Sequence, residues 1–99
     1  MIIVCGTATI RRGALRGAEP AMRAMIEASR AEPGCRYYSY GADVLDPDTI
    51  IALEYWNDQA ALDAHFKTPH MAAWRQKLGQ LGVVTFNVKA YDAGPPRSL

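Results

Sequence analysis

Along residues 2–10 of this 99-residue chain the apolar positions are dense and β-branched. Ile2, Ile3, Val4, Thr7, Thr9 and Ile10 form the pattern of a strand buried on at least one face. From Leu15 the period changes. Leu15, Ala18, Met22, Met25, Ile26 and Ser29 fall on one helical stripe, opposite Arg16, Glu19, Arg23, Glu27 and Arg30. The helix is expected to stop before the Glu-Pro-Gly at 32–34, where Pro33 cannot continue it and Gly34 supplies a turn. A second strand starts at Cys35 and sets Cys35, Tyr37 and Ser39 on one face, Arg36, Tyr38 and Tyr40 on the other. Asp46-Pro47-Asp48 predicts the hairpin turn. The third strand then has two largely apolar faces, Ile50, Ala52 and Trp56 against Ile51, Leu53 and Tyr55, with Glu54 an isolated carboxylate among aromatics.

Asp58 is placed to cap a short helix through Phe66, and Thr68 with Pro69 to open another whose stripe is Met71, Trp74, Leu78 and Leu81. Val84, Phe86, Val88 and Ala90 share one face of a last strand. The order strand, helix, strand, strand, helix, strand predicts an α+β, ferredoxin-like βαββαβ fold with its second helix broken in two. We expect residues 1–92 to form this domain and 93–99 a loose tail. Helices of this fold cover one sheet face only. A third strand that is apolar on both sides would leave a large exposed patch, so a homodimer with its sheets face to face, a dimeric α+β barrel, is expected.

Charge and composition narrow the partners. Eleven Lys and Arg stand against ten Asp and Glu in no basic stripe, which disfavours nucleic acid. The topology is shared with RNA-recognition domains, but their basic-Gly-aromatic strand pattern is absent from the third strand. No apolar run approaches a membrane span, and the apolar opening lacks a basic flank before it, so a cytoplasmic protein without a membrane partner is expected. Cys5 and Cys35 lie outside any CxxC pair and read as reduced core thiols. Gly-rich nucleotide loops and a GxSxG elbow are also missing.

The stretches EPGCRYYSY (32–40) and LEYWNDQAALDAHFKTPHMAAW (53–74) resemble the antibiotic biosynthesis monooxygenase family. They share a Pro-Gly turn into an aromatic strand, Glu-aromatic-Trp, and a capped helix ending in His with a second His after a break. The resemblance implies the dimeric ferredoxin-like barrel, and oxidation of phenolic, quinol-like or polycyclic substrates with O2 and no metal or cofactor. Trp56 matches a pocket tryptophan of anthrone-oxidising members. Their asparagine four residues earlier is Ala52 here, their tyrosine six residues later is Leu62, and their helix arginine corresponds to Arg75. The Asn, Trp and His of the haem-degrading branch fall on Gly6, His65 and Arg75, which disfavours haem degradation. The run AHFKTPH is most similar to the quinol-oxidising and signal-processing members.

His65 and His70 are the chain's two histidines, five residues apart with Pro69 between them. That spacing does not give the one-face pair of a helical metal site, and no cysteine or third histidine lies near, so no metal is expected. The catalytic candidates are His70 and His65. Trp56, Trp74, Glu54, Phe66, Tyr37 and Arg75 are the candidates for binding a flat aromatic substrate. At the end of its helix, His65 is expected to be raised in pKa by the negative dipole end, leaving His70 as the base. Two further readings stay open: a proton-transfer isomerase on the same barrel, and a non-catalytic small-molecule-binding dimer.

Overall fold

The computed structural model describes residues 1–99. Strands β1 (Ile2–Ile10), β2 (Cys35–Asp43), β3 (Asp46–Trp56) and β4 (Val83–Asp92) form one antiparallel sheet in the order β2-β3-β1-β4. Helices α1 (Leu15–Arg30), α2 (Gln59–Phe66) and α3 (Pro69–Leu81) complete it. This is the ferredoxin-like α+β fold that the order of elements predicts, with the break between α2 and α3 as expected. Asp58 Oδ1 accepts from the Ala61 amide at 2.8 Å, and Thr68 Oγ1 from the Met71 amide at 3.3 Å, so each half-helix has its own cap. No helix is long and apolar enough to cross a membrane.

Side chains alternate across the sheet, and the register stacks them in rows on the helix-facing side. Tyr38, Glu54, Val4 and Ala90 make one row, Tyr40, Ala52, Gly6 and Val88 the next, and Ala42, Ile50, Ala8 and Phe86 a third. The predicted α1 stripe lies on these rows, with Ala18, Met25 and Ser29 buried. α1 also packs on α3, and the Arg30 Nε at its end donates to the Tyr38 carbonyl at 2.8 Å. In the middle row β1 and β4 approach closely at Gly6. Gly6 has φ +152°, and a Cβ on it would run into the main-chain oxygen of Asn87. Gly34 is fixed for a different reason, since a Cβ there would meet the Ala61 side chain of α2.

Two expectations need correction. The hairpin turn is at Val44 and Leu45, almost fully exposed, and not at Asp46-Pro47-Asp48, which opens β3. Asp43 Oδ1 takes the Leu45 amide at 2.8 Å and so holds the turn. Asp46 accepts from the Asp48 amide and the Thr49 hydroxyl, which satisfies these groups without a bend. Pro47 fits a strand because the β1 pairing begins only at Thr49, so the missing N–H is not needed. Cys5 and Cys35 are free and only half-buried, with Cys35 packed against the margin of the core. On β4, Val84 and Phe86 are exposed, as is nearly the whole of this edge strand. Residues 93–99 carry neither helix nor strand.

Gly6→Ala should therefore lose about 3 kcal/mol or more of unfolding free energy, whereas Gly41→Ala, whose new Cβ meets open space, should stay within about 0.5 kcal/mol of the parent. Urea denaturation of both variants checks the contrast.

Candidate active site

Because β1 and β3 offer only Gly6, Ala8 and Ala52 in the middle of the sheet, α3 cannot fill the space above them. A cavity of about 440 Å³ remains. Val4, Ala8, Ala52 and Val88 form its sheet wall, and Met71, Trp74 and Leu78 of α3 cover it. Its few polar groups come from Tyr40, Glu54, Arg75 and Lys89. A wider, shallower groove of about 870 Å³ between the start of α1 and the β2–β3 hairpin shares Tyr40 and Ile50 with it. That groove is lined by no fully buried titratable side chain, so the smaller, more apolar cavity, which holds Glu54, is the better candidate.

Glu54 is the chemically unusual group. It faces the helix side because Trp56 and Ala52, two residues either way, do so, and it is 5% exposed. Burial pushes its carboxyl up to about 7, against hydrogen bonds that favour the anion: Trp56 Nε1–H donates to Oε1 at 2.9 Å, and the Tyr38 hydroxyl lies close enough to act in the same sense. A carboxyl of this kind takes up or gives a proton near neutral pH. The Tyr38 and Tyr40 hydroxyls are 3.1 Å apart. Burial raises both, Tyr40 to about 12, so the pair stays protonated and donates.

The histidines form a second assembly. His65 Nδ1 lies 2.6 Å and His70 Nε2 2.8 Å from the same atom, Oε2 of Glu32. One carboxylate oxygen accepting from both assigns the N–H to Nδ1 of His65 and to Nε2 of His70. Glu32 stands in the turn after α1, His65 in the last turn of α2 and His70 in the first of α3, so the cluster ties three segments together. The His65 ring is fully buried, with its centroid 4.5 Å from that of Trp56, and its Nε2 has no hydrogen-bond partner. Its pKa is lowered, not raised as the helix-end argument expects. Burial outweighs the hydrogen bond and charge of Glu32. The dipole also counts for less here, because the His65 carbonyl is already taken by the Thr68 amide at 3.2 Å and hydroxyl at 2.7 Å.

Of the residues singled out in the sequence, Glu54, Phe66, Trp74 and Arg75 line the cavity. Trp56 lies fully buried beside Glu54, and neither His65 nor His70 is on the cavity wall. Tyr37 is on the opposite sheet face, stacked on Tyr55 with centroids 5.2 Å apart, and is not part of the site. Arg75 Nη2 donates to the Phe66 carbonyl at 3.1 Å, which holds the guanidinium at the end of α2. Glu32 and Tyr40 were not singled out. Tyr40 had a signal, its place two residues from Tyr38 on one strand face. Glu32 had none, being 33 and 38 residues from its partners.

Residues 1–77 match the family described as antibiotic biosynthesis monooxygenase. The chain belongs to that family. A Deinococcus radiodurans protein described by the same family name superposes with a TM-score of 0.91, covering 100% of this chain and 98% of its own at 24% identity, which speaks to the fold. Rv0793 of Mycobacterium tuberculosis, whose name is that of a monooxygenase, superposes with a TM-score of 0.86, covering 98% of both chains. In sequence it is 36% identical over 70 residues, 71% of this chain and 65% of its own. The "Probable quinol monooxygenase YgiN" of Escherichia coli is 31% identical over 71 residues, 64% of this chain and 67% of its own. The sll1783 protein of Synechocystis is 35% identical over 74 residues, so the match spans 75% of this chain but half of that relative. Family and relatives together support a monooxygenase-like function.

The raised Glu54 carboxyl has a consequence for stability. Between pH 4.5 and about 7 the folded state keeps a proton that the unfolded state has released, so stability falls as pH rises through this window. The gap corresponds to at most about 3 kcal/mol. Glu54→Gln should remove that loss and be more stable than the parent at pH 8, with little difference at pH 4. Thermal unfolding at the two pH values measures it.

Proposed function

We propose that this protein is a monooxygenase that oxidises a small phenolic, quinol or polycyclic aromatic substrate with O2, with the cavity under α3 as its active site. The observation that carries this reading is a buried carboxyl, Glu54, with proton affinity near neutrality on the wall of an otherwise apolar cavity that also holds Arg75 and the Tyr40 hydroxyl. Ground-state O2 is a triplet, so an electron must come to it before bonds form. A deprotonated aromatic can supply one itself. Ionised Glu54 takes the phenolic proton, the Tyr40 O–H and the Arg75 guanidinium stabilise the phenolate, and Trp74 and Phe66 flank the ring. Electron transfer and radical recombination give a carbon-bound peroxide. Protonation of that peroxide, loss of the ring C–H proton and departure of water leave a new C=O. A hydroquinone and O2 thus give a hydroxyquinone and water, with one oxygen atom of O2 in each product. The organic substrate is the sole reductant.

We place the base at Glu54 rather than at His70 or His65, because both imidazoles are hydrogen-bonded to Glu32 and neither lines the cavity. His65 instead backs Trp56, whose N–H orients the carboxylate. An oxygen electrode with a panel of quinols and phenols tests the reaction. Substrate-dependent O2 uptake is expected, with kcat falling at least about 100-fold in Glu54→Gln and far less in His70→Gln. The reverse order would return the base to the histidine. Binding or proton exchange without O2 uptake would favour the isomerase or the binding protein.

The same reading includes a homodimer through the outer sheet face. Tyr37, Ile51 and Tyr91 are exposed there, with Leu53 and Tyr55 half-buried between them. Ile51→Glu at the centre of this face should shift sedimentation from dimer toward monomer and lower the unfolding temperature. A parent protein that sediments as a folded monomer at micromolar concentration would refute the dimer.

A further inference from the structure

We propose that Glu32, His65 and His70 form a binding site for a redox-inert divalent transition ion of the zinc class. The five-residue spacing of the histidines argues against a metal only on one continuous helix. Here the chain breaks at Lys67 and Thr68, so the two imidazoles belong to different helices and converge on one carboxylate oxygen. One ligand atom from each residue, imidazole Nδ1 or Nε2 and carboxylate oxygen, lies within 4.8 Å of the others. Zinc bonds of about 2.0–2.2 Å at tetrahedral angles need ligand atoms roughly 3.4 Å apart. The Glu32 oxygen, now 2.6 and 2.8 Å from the two nitrogens, must withdraw by roughly 0.6–0.8 Å to reach that spacing. Its side chain springs from the turn after α1 and is partly open to solvent, which leaves it a direction in which to shift.

Two imidazoles and one carboxylate select zinc, cobalt or nickel over magnesium and calcium, which prefer all-oxygen shells. His70, 21% exposed, leaves a side from which an ion and a completing water can enter. Coordination at Nδ1 moves the His65 proton to Nε2. That nitrogen is already buried without a partner, so the same atom stays unpaired in either tautomer. The ion also meets the carboxylate charge, whose ion-pair partners are these two histidines alone. Bound there, it would tie the turn after α1 to the ends of α2 and α3. The site is separate from the cavity and does not rest on the proposed reaction.

Zinc titration by calorimetry and cobalt absorption spectroscopy, on protein carrying Cys5→Ser and Cys35→Ser to remove thiol ligands, tests the site. One ion per chain is expected, with tetrahedral cobalt d–d bands and an unfolding temperature raised by roughly 10 °C or more at a hundredfold excess over Kd. Glu32→Gln and His70→Gln should each weaken binding at least about tenfold and abolish the thermal gain. His65 is fully buried, so its replacement is not needed for the test. Absence of stoichiometric binding, equal binding by both variants, or the same gain from calcium would each overturn the proposal and leave the cluster as a hydrogen-bonded clasp.

Discussion

The indole of Trp56 is the contact on which both assemblies depend. It is fully buried at the end of β3, its ring is packed by His65, and its N–H is spent on Glu54. The residue therefore touches the Glu32 cluster through its ring and the cavity only through Glu54. Without that N–H the buried carboxylate would lose its donor at 2.9 Å, and burial would act on it unopposed from that side. A phenylalanine could fill much of the volume but not satisfy the carboxylate.

The division of labour between the two assemblies follows from solvent access and hydrogen bonding. Glu32 already accepts two N–H donors on one oxygen, so its imidazoles are held in fixed tautomers and oriented as supports. Glu54 accepts from Trp56, with the Tyr38 hydroxyl acting in the same sense, and stands on the wall of a largely apolar cavity. A chemically competent group in a protein interior is one whose hydrogen bonding is left incomplete on the side of a cavity, and that condition separates Glu54 from the histidines. The hollow itself comes from small side chains in the middle of the sheet, where the close approach of β4 to Gly6 leaves no room for a Cβ.

The belonging of this chain to the antibiotic biosynthesis monooxygenase family and the geometry of the cavity bear on each other. Residues 1–77 carry the family match and hold β1 through most of α3, including Glu54, Trp74 and Arg75. The remaining strand, β4, adds Phe86, Val88 and Ala90 to the cavity and forms the edge of the sheet. Val84 and Phe86 of this edge strand are largely exposed.

Local pattern determined the order of elements, the caps at Asp58 and Thr68, the faces of β2 and β3, and the fact that Glu54 would stand among aromatics. Each of these is set by residues within a few positions of one another, through strand alternation, helical period or a side chain reaching its own backbone. The hairpin was misplaced by the same local reasoning, because Asp and Pro favour turns in isolation, while the register with β1 and the hold of Asp43 on Leu45 decide where the chain bends. Tyr37 and Tyr38 are adjacent and equally aromatic, yet only the sheet's helix cover determines which of them is buried. The lowered proton affinity of His65 reverses the helix-dipole argument, because burial depends on what Trp56, Tyr38 and Glu32 bring from elsewhere in the chain. Glu32 is the clearest case. Nothing near it in the sequence marks it, and its meeting with His65 and His70 exists only once the turn after α1 is closed against the break between α2 and α3.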